Sequence, residues 1–404
     1  MEDQMETICV LLFLAISSVL IISTAWTYKI RFFPRHKRKS REPITILKPL
    51  KGIDEGLEEN LISFFKLNYP KFELIFSIAS KNDPALPLVK RLIGLYPNVD
   101  AKLILGDSNV GLNPKICNLI RPFSVAKYEF TLISASNVRV EPCYLRNLIQ
   151  DWTDNTGVLT SLVSGTNPRN LLGHIELALL SCFYARALSL ADITGNAFAI
   201  GKSMLFLRQD LIRLGGLEIL SNYLAEDYMM GELMKKIGKK VTVARRPVYQ
   251  YLGKHTSKQF TGRHLRWGQI RRSHAQILFA FEPLLHPVQF IISGGIIWKT
   301  AQMGEISQGL VVSLFLLTSI DLFQWLIMGA SGGSRIAPAI ILQHVFVPFF
   351  WLFSLRQPVF NWRGQLLRLK LGGVLEPLHG NPLRNSLRNK WSRESLRAAR
   401  QESR

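Results

Sequence analysis

Two kinds of hydrophobic pattern divide the chain. Long apolar runs lie at 7–28 and in three stretches after residue 282. Between them, from about residue 42 to 250, short apolar runs alternate with amphipathic segments. The first pattern is typical of helices that cross a bilayer, and the second of a domain in which strands and helices alternate. The sequence therefore predicts a globular domain with membrane helices on both sides of it.

The middle part is predicted to be an α/β domain. Its expected strands are 44–47, 73–78, 101–105, 130–134, 158–163 and 241–243. Its expected helices are 55–65, 85–95, 115–120, 144–152, 208–214 and 228–236. Because the strands are continuously apolar and alternate with helices, we expect a mainly parallel sheet. Ligands of such sheets bind at the carboxyl ends of the strands, so polar residues that follow a strand are candidate site residues.

The first apolar run predicts an uncleaved membrane anchor. Residues 7–28 are long enough to span a hydrocarbon core of about 30 Å. Three acidic residues precede the run, and a basic cluster follows it from Lys29 to Arg41. A cleaved signal peptide would have a basic start, a shorter apolar stretch and a small-residue cleavage site. The positive-inside rule then predicts an external N-terminus and a cytoplasmic domain after the anchor.

The three later apolar stretches, at 283–298, 309–329 and 336–355, pose a topological problem. The first is short and interrupted by His286, so it is expected to be tilted, re-entrant or interfacial. The second carries Asp321, which we expect to face protein or water. Three full crossings would leave the C-terminus outside, yet the basic tail should stay inside. The two expectations conflict unless one stretch does not cross, and the sequence alone does not identify which.

Five segments follow from these patterns. They are an anchor at 1–28, a cytoplasmic catalytic domain at 29–250, basic amphipathic interface helices at 251–282, C-terminal membrane helices at 283–356 and a basic tail at 357–404. We expect an integral membrane protein of a bacterial inner membrane or an endomembrane, in contact with membrane lipids.

The charge balance narrows the class of partner. Lys and Arg number 50 against 29 Asp and Glu, which gives a net charge of +21. Such an excess favours nucleic acid, anionic lipid headgroups or a phosphorylated substrate. The flanking membrane segments argue against nucleic acid, and we expect no nucleic-acid partner. The four cysteines have no metal-like spacing and indicate a reducing compartment.

Two short motifs carry the strongest chemical signal. Glu226 and Asp227 precede a predicted helix that feeds a strand, which would place them at the ligand edge of the sheet. Acidic residues there can also be mere favourable charges at a helix N-terminus. Arg263, Arg266 and Trp267 follow in the basic segment, where they could meet either lipid phosphates or a diphosphate. A carboxylate base with an Arg/Trp set predicts transfer of a group from a phosphate-activated donor.

Three other loops follow predicted strands. Asp83 could accept hydrogen bonds from a ligand, or simply cap the helix that Pro84 opens. Lys115 could meet a phosphate at a helix start, or be a solvated residue after a turn. The small polar residues at 134–140 suit a sugar site, but they include no carboxylate and do not by themselves suggest a metal site.

Taken in order, the motifs of this chain resemble those of the ceramide glucosyltransferase family. Singly they are modest signals, but as an ordered set from about residue 44 to 373 they are highly specific. The Arg-x-x-Arg-Trp form is also more similar to this family than to cellulose- or hyaluronan-type synthases, which usually have Gln first. The matching segments are 47–52, 68–71, 83–85, 96–101, 113–115 with Asn118, 138–140, 225–228, 263–267 and Trp362-Arg363.

The resemblance implies a GT-A fold and a specific reaction. UDP-glucose would be the donor and the primary hydroxyl of ceramide the acceptor, with inversion to β-linked glucosylceramide. Asp227 would be the general base and Asp83 would hold the uridine. Mg²⁺ or Mn²⁺ would be the cofactor of the family. The expected substrate-binding residues are Asp83, Lys115, Glu226, Arg263, Arg266 and Trp267.

One position departs from the family pattern. Ala135 stands where the resemblance implies an Asp that coordinates the divalent metal. Loss of a carboxylate ligand should weaken binding of Mg²⁺ or Mn²⁺. The sequence-based hypothesis is that Ala135 is an engineered or natural inactivating replacement, so Ala135→Asp should gain glucose transfer. Two alternatives stay open: transfer of another sugar, or to a hopanoid or diacylglycerol, and a non-catalytic protein that binds lipid or nucleotide sugar.

Overall fold

Strands and helices alternate through the middle of the chain, which confirms the predicted α/β class. The computed structural model describes residues 2–33, 41–356, 359–362 and 365–378. The basic segment 34–40, Arg363 and the tail from 379 onward lie outside the described residues, so the expectations for them stay predictions. The main strands are β1 Ile44–Leu50, β2 Phe72–Ile78, β3 Ala101–Leu105, β4 Phe130–Ser134, β5 Val138–Arg139, β6 Thr156–Pro168, β7 Ser203–Leu207 and β8 Lys240–Gly253.

The helices of the domain cover both faces of this sheet, and further helices follow it. Before β7 come α1 Glu2–Phe32, α2 Leu57–Phe65, α3 Ala85–Leu95, α4 Pro114–Ser124, α5 Tyr144–Gln150, α6 Leu171–Ala178 and α7 Ala185–Ile193, with a π-helical turn Leu179–Tyr184 between the last two. After β7 come α8 Arg208–Arg213, α9 Glu226–Lys236, α10 Ser257–His274, α11 Gln276–Phe281, α12 Pro287–Thr300, α13 Ile306–Met328 and α14 Ile336–Ser354. A small antiparallel sheet, β9 Val359–Trp362, β10 Gln365–Leu369 and β11 Leu375–Pro377, ends the described chain.

The eight-stranded sheet is mixed, with order β3-β2-β1-β4-β7-β6-β8-β5. β1 to β4 are mutually parallel, and β6 is parallel to β8. β7 runs antiparallel between β4 and β6, and β5 is antiparallel to β8. The sequence did not predict β5, β7 or the helical run 171–193. The domain boundary expected at residue 250 falls inside β8. The helix expected at 228–236 begins two residues earlier, at Glu226.

Strand register brings distant residues to one edge of the sheet. Ser134 at the end of β4 pairs with Ser203 at the start of β7. Leu47 of β1 pairs with Ile133 of β4, so the next residue, Lys48, lies level with Ser134. Side chains of successive strand residues alternate between faces. Lys48 therefore points to the face of β1 that α2 covers, level with the last residue of β4.

The long apolar helices differ in how deeply they are buried. Among the described residues, four segments are long and apolar enough to cross a membrane, namely Gln4–Phe32, Leu171–Ile193, Ile306–Met328 and Gly333–Ser354. In the second segment, 72% of the most apolar 18-residue stretch is buried within the protein. In the first and third segments the buried share is 28%. The second segment therefore packs as part of the domain interior, whereas the first and third have apolar surface left for lipid.

The stretch expected at 283–298 is a helix too short to span a bilayer alone. His286 caps α12, its Nδ1 accepting from the backbone N of Val288 at 3.2 Å. The helix that follows has 14 residues. At 1.5 Å per residue its length is about 21 Å, less than the hydrocarbon core of about 30 Å. α12 packs against α13 and α1, which form its partners in the apolar part of the molecule.

Helix α14 lies against the domain at both of its ends. At its C-terminus, Arg272 of α10 donates to the carbonyls of Ser354 and Leu355, at 3.1 and 2.6 Å. Just before its N-terminus, the Ser331 hydroxyl lies 3.4 Å from that of Thr166 in β6. In between, the ring of Phe350 contacts α10. Both ends of α14 therefore lie close to elements that pack on the domain.

Asp321 of α13 faces protein, as expected for an acidic residue in an apolar helix. Its Oδ1 contacts Arg186 of α7 in a buried ion pair. Its Oδ2 lies 2.9 Å from His344 Nε2 and accepts from Gln343 Nε2 at 2.9 Å, both on α14. This cluster joins three helices through one carboxylate.

The C-terminal half of α1 is docked on the domain. Trp26 Nε1 donates to Asp192 Oδ2 of α7 at 2.7 Å, and the Thr27 hydroxyl lies 2.8 Å from that of Ser189. Ile30 belongs to the core cluster beneath the sheet. Arg31 Nε donates to the carbonyl of Ile327 at the end of α13, at 2.9 Å.

Candidate active site

The acid pair at the start of α9 lies among polar groups from two other elements. Glu226 Oε1 accepts from Lys115 Nζ at 2.6 Å, and its Oε2 accepts from Asn113 Nδ2 at 3.0 Å. Asp227 Oδ2 accepts from the backbone N of Gly201, just before β7, at 2.7 Å. The two carboxylates are therefore held by different partners, one by a cation and one by a peptide N–H.

Local sequence explains how Lys115 reaches this site. Asn113 caps α4, its side-chain oxygen accepting from the backbone N of Lys115 at 2.9 Å and of Ile116 at 3.2 Å. Pro114 occupies the first helical position, where its fixed φ fits and no N–H is needed. The first turn of α4 then directs Lys115 toward Glu226. Lys115 is thus an ion-pair partner within the site rather than a solvated residue after a turn.

The protonation of the pair depends on burial and on the neighbouring charges. Burial raises the pKa of Asp227 above its usual value, and the negative charge of Glu226 adds to this. Burial lowers the pKa of Lys115, but the charges of Glu226 and Asp227 outweigh it and leave that pKa raised. Lys115 therefore stays cationic, and Asp227 is a stronger base than an exposed aspartate.

Gly201 gives a direct test of how tightly this site is packed. A Cβ at this position would lie 2.8 Å from Lys115 Nζ and 3.1 Å from Asp227 Oδ2. Both are ends of flexible side chains, so Gly201→Ala should displace them rather than unfold the protein. We expect sugar transfer to fall about tenfold to a hundredfold, as for small displacements of reacting groups, with little change in the thermal unfolding midpoint. Equal activity in Gly201→Ala and Gly262→Ala, an open helical position, would contradict this packing.

Asp83 makes the capping contact that the sequence allowed. Its Oδ1 accepts from the backbone N of Ala85 at 2.9 Å, in the first turn of α3. Both of its oxygens also accept from the backbone N of Gly52, at 3.0 Å. Asp83 therefore ties the loop after β1 to the loop after β2. The uridine-binding role implied by the resemblance stays a prediction.

Arg263 is held by a buried carboxylate that the sequence did not single out. Its Nη1 contacts Glu176 of α6, whose side chain is fully buried. The other partners of Glu176 are His255 Nε2, at 2.9 Å from Oε2, and Gln250 Nε2, at 3.0 Å from Oε1. This network fixes α10 against β8 and α6, and with it the position of the Arg263 guanidinium.

Arg266 and Trp267 lie on the same turn of α10. Burial lowers the pKa of Arg266, as does Arg263, while the charge of Glu226 raises it. The charge of Glu226 therefore reaches α10, which links the acid pair and the basic motif in one electrostatic site. Trp267 packs edge-to-face on Tyr184 and His264, with ring centroids at 5.1 and 5.2 Å.

Two lysines, Lys48 of β1 and Lys202 just before β7, lie beside the C-terminal end of β4. The resemblance implies a metal-binding Asp at this place, at position 135. Lys48 Nζ donates to the carbonyl of Ala135 at 2.7 Å and to Ser134 Oγ at 3.4 Å. Lys202 Nζ donates to Asn137 Oδ1 at 2.8 Å. Burial lowers the pKa of Lys202 to about 7, with Arg263 as the next cause. Burial also lowers the pKa of Lys48, with the charge of Lys202 as the second cause.

These residues do not fit a divalent cation. Hard cations need several oxygen ligands, of which carboxylates are the strongest. Here the carbonyl of Ala135 and the side-chain oxygen of Asn137 already accept hydrogen bonds from Lys48 and Lys202, so neither is a vacant ligand for a cation. Within the described part of the chain, no three His, Cys, Asp or Glu side chains lie close enough to form a metal site.

Sequence reasoning missed Lys48, Lys202 and Glu176. Lys48 is a charged residue inside an apolar strand, and Glu176 an acid inside an apolar helical run. A charge in such a run is a usable signal, because it is costly to bury without partners. Lys202 gave no such signal, since it lies in a loop before a strand that was not predicted.

Comparisons with known proteins agree with this architecture. A family model described as glycosyl transferase family 21 matches residues 10–375. Ceramide glucosyltransferase 1 of Caenorhabditis elegans is 26% identical over 385 residues. The alignment covers 89% of this chain and 80% of the length of that relative. Ceramide glucosyltransferase 3 of the same organism is 28% identical over 362 residues, covering 86% and 78%.

A solved structure supports the fold alone. The mannosyltransferase PcManGT from Pyrobaculum calidifontis, in complex with GDP-Man and Mn²⁺, superposes with a TM-score of 0.52 at 14% identity. The match covers 87% of this chain and 99% of that one. The shared part therefore includes helices outside the sheet as well as the sheet itself.

Proposed function

The chain belongs to glycosyl transferase family 21, and we propose that it transfers glucose from UDP-glucose to the primary hydroxyl of ceramide with inversion. The names of its relatives in Caenorhabditis elegans support the acceptor and the sugar. The observation that carries the proposal is the arrangement of Asp227, held by the backbone N of Gly201, beside the ion pair of Lys115 and Glu226. A base and a cation then lie side by side, as the transfer of a group from a phosphate ester requires.

In this mechanism Asp227 activates the acceptor. The hydroxyl oxygen of the acceptor attacks the anomeric carbon of glucose, and Asp227 takes the hydroxyl proton. The bond from that carbon to the phosphate oxygen breaks, and its electron pair leaves with UDP. Attack opposite the leaving group inverts the configuration at the carbon. The raised pKa of Asp227 favours this role, because a base works best when its pKa is nearer the working pH.

Basic residues would hold the leaving diphosphate. Arg263 and Arg266 follow each other by one turn of α10, and the guanidinium of Arg263 is fixed by Glu176. Cations fixed in advance stabilise negative charge that develops during bond breaking. Lys115 and Glu226 would contribute to substrate binding, Trp267 would shape the site, and Asp83 would hold the uridine. Mg²⁺ or Mn²⁺ stays an expectation for the family, and no step here is assigned to it.

One membrane arrangement would remove the topological conflict found in the sequence. We infer that α1 crosses with its N-terminus outside, that α12 and α13 enter and return as a pair, and that α14 stays on the cytoplasmic side. The contact of Ser331, which precedes α14, with β6 and the contacts of the C-terminal end of α14 with α10 support this order. The basic tail would then be cytoplasmic, in agreement with the positive-inside rule.

The acceptor would reach the site from the lipid. Helix α11 follows the basic helix α10 and exposes Ile277, Leu278 and Phe281, at 74%, 76% and 55% of their surfaces. Large apolar side chains this exposed are typical of a surface that meets lipid or protein. Next to the Arg residues of α10, they would lie at the bilayer interface, where cations meet lipid phosphates.

The reaction can be tested with the full-length chain in detergent or vesicles. Labelled UDP-glucose and ceramide should give glucosylceramide, with a β linkage by NMR. UDP-N-acetylglucosamine and UDP-galactose as donors, and hopanoid and diacylglycerol as acceptors, provide the comparison. Faster turnover of another pair would replace the proposed substrates. Saturable binding of UDP-glucose without turnover of any pair would instead favour a binding protein.

A further inference from the structure

Lys48 and Lys202 form a cationic pair at the carboxyl end of β4 that the mechanism above does not use. The register of β4 with β1 and β7 brings them there from positions 154 residues apart in the chain. The positive charge of Lys202 acts on Lys48, and those of Arg263 and Lys115 act on Lys202. The two lysines therefore belong to the same electrostatic environment as Arg263 and Lys115 of the candidate site.

Neither lysine has a carboxylate partner in the described part of the chain. Lys48 is 0% exposed, and its ammonium contacts only the oxygens of Ser134 and Ala135 and the ring of Phe64, whose centroid lies 3.7 Å away. Lys202 has Asn137 Oδ1 as its hydrogen-bond acceptor. Burying a cation without a counter-ion is unfavourable, and this arrangement is explained if an anion occupies the site during function.

We propose that Lys202, backed by Lys48, supplies the positive charge that the family pattern assigns to a divalent cation, so that this chain binds its nucleoside diphosphate without a metal. The inference rests on the proposed function, because it concerns the diphosphate of the same donor. Ala135 is then a matching change rather than a defect. An Asp at this position would add a carboxylate beside the two lysines that competes with the ligand for their charge, whereas Ala adds no competing anion.

The charges around Lys202 are consistent with a lysine in the place of a metal ion. Burial lowers the pKa of Lys202 to about 7; the neighbouring cations Arg263 and Lys115 also lower it, and Glu176 and Asp54 offset this only in part. A bound diphosphate would raise that pKa and keep the ammonium charged. When the anomeric bond breaks and its electrons pass to the diphosphate, this charge would stabilise the leaving group in the place of a metal.

Binding of UDP to the full-length protein in detergent tests the inference. Titration calorimetry is carried out once with EDTA and once with Mn²⁺. We expect the two dissociation constants to agree within about twofold. Lys202→Met should weaken UDP binding by about tenfold or more in both media, as for loss of a hydrogen bond to a charged group. Lys202→Arg, which keeps the charge, should retain most of the affinity and shows whether the position tolerates replacement.

The matched control is Lys90→Met on α3, an exposed lysine outside the site. It should leave the affinity for UDP unchanged. UDP binding that requires Mn²⁺, or Lys202→Met with unchanged affinity and an unchanged unfolding midpoint, would overturn this inference while leaving the proposed transfer reaction intact. Absence of UDP binding in both media would overturn the proposed donor and this inference together.

Ala135→Asp separates this inference from the hypothesis of an inactivated chain. If the chain lost its activity with a metal ligand, the variant should gain transfer in the presence of Mn²⁺. If Lys202 and Lys48 act instead, the new carboxylate pairs with them, and metal-free UDP binding should weaken by about tenfold or more. A variant with gained, Mn²⁺-dependent transfer and unchanged metal-free binding would contradict the lysine assignment.

Discussion

Replacing Asp227 by Asn should lower the rate of sugar transfer by about 10²–10⁴-fold, the range for removal of a general base. The amide has nearly the same shape but cannot accept the proton of the acceptor hydroxyl. Its carbonyl oxygen can still accept from the backbone N of Gly201, which Asp227 does at 2.7 Å. The affinity for UDP should not fall, because the change removes a negative charge near Lys115. Single-turnover transfer from labelled UDP-glucose measures the effect on the chemical step.

The control for this variant lies on the same helix. Glu232 of α9 is partly exposed and pairs with Lys235 at 2.7 Å along the helix surface. Glu232→Gln removes the same charge from the same helix and should leave transfer unchanged, since surface pairs of this kind contribute little. If Asp227→Asn retained transfer within about tenfold of the parent, well short of the loss expected for a base, Asp227 would not be the base. The acid pair would then serve only to position Lys115.

Replacing Arg186 by Met should destabilise the protein by about 3–5 kcal/mol, the cost of breaking a buried ion pair. The change leaves Asp321, which is 0% exposed, with His344 and Gln343 but without its guanidinium partner. Apolar surroundings cannot hydrate the remaining carboxylate. The expected result is a large drop in the apparent unfolding midpoint, followed by labelling of the buried thiol of Cys182, whose Sγ lies 3.4 Å from the carbonyl of Asp321.

A second replacement distinguishes the charge from the packing. Arg186→Met combined with Asp321→Leu removes both charges, and we expect it to recover part of the lost stability, because apolar pairs of similar volume often substitute for buried ion pairs. Lys299→Met, which breaks an exposed pair with Glu305, should leave the midpoint unchanged. An Arg186→Met protein as stable as the parent would mean that the ion pair is not formed in the membrane environment.

The sequence predicted much of the sheet because burial on both faces makes parallel strands apolar throughout. It placed β1 to β4 correctly to within a few residues, but it identified only the central part of β6 and the first residues of β8. It missed β7, which is five residues long and antiparallel in an otherwise parallel neighbourhood. It also missed the helical run 171–193, whose composition resembles a membrane helix although most of it is buried in the domain.

The predictability of the candidate site differs from residue to residue for a physical reason. Asp227 and Lys115 occur at helix starts that follow loops, so local patterns indicate both their position and their chemistry. Lys202 and Glu176 depend on pairings between elements far apart in sequence, namely β4 with β7 and α6 with α10. Local patterns contain no information on such pairings. The meeting of Lys48 and Lys202 beside Ala135 could therefore be found only once the register of the strands was known.

The docking of α1 means that the anchor and the catalytic domain fold as one unit. Trp26, Thr27 and Arg31 bond to the domain or to α13, and Ile30 fills part of the core beneath the sheet. The boundary expected at residue 29 is therefore not a linker at which the chain can be divided. A shortened chain that begins after this helix would lose part of its own interior. Insertion of α1 into the bilayer and completion of the core beneath the sheet would then be one folding event.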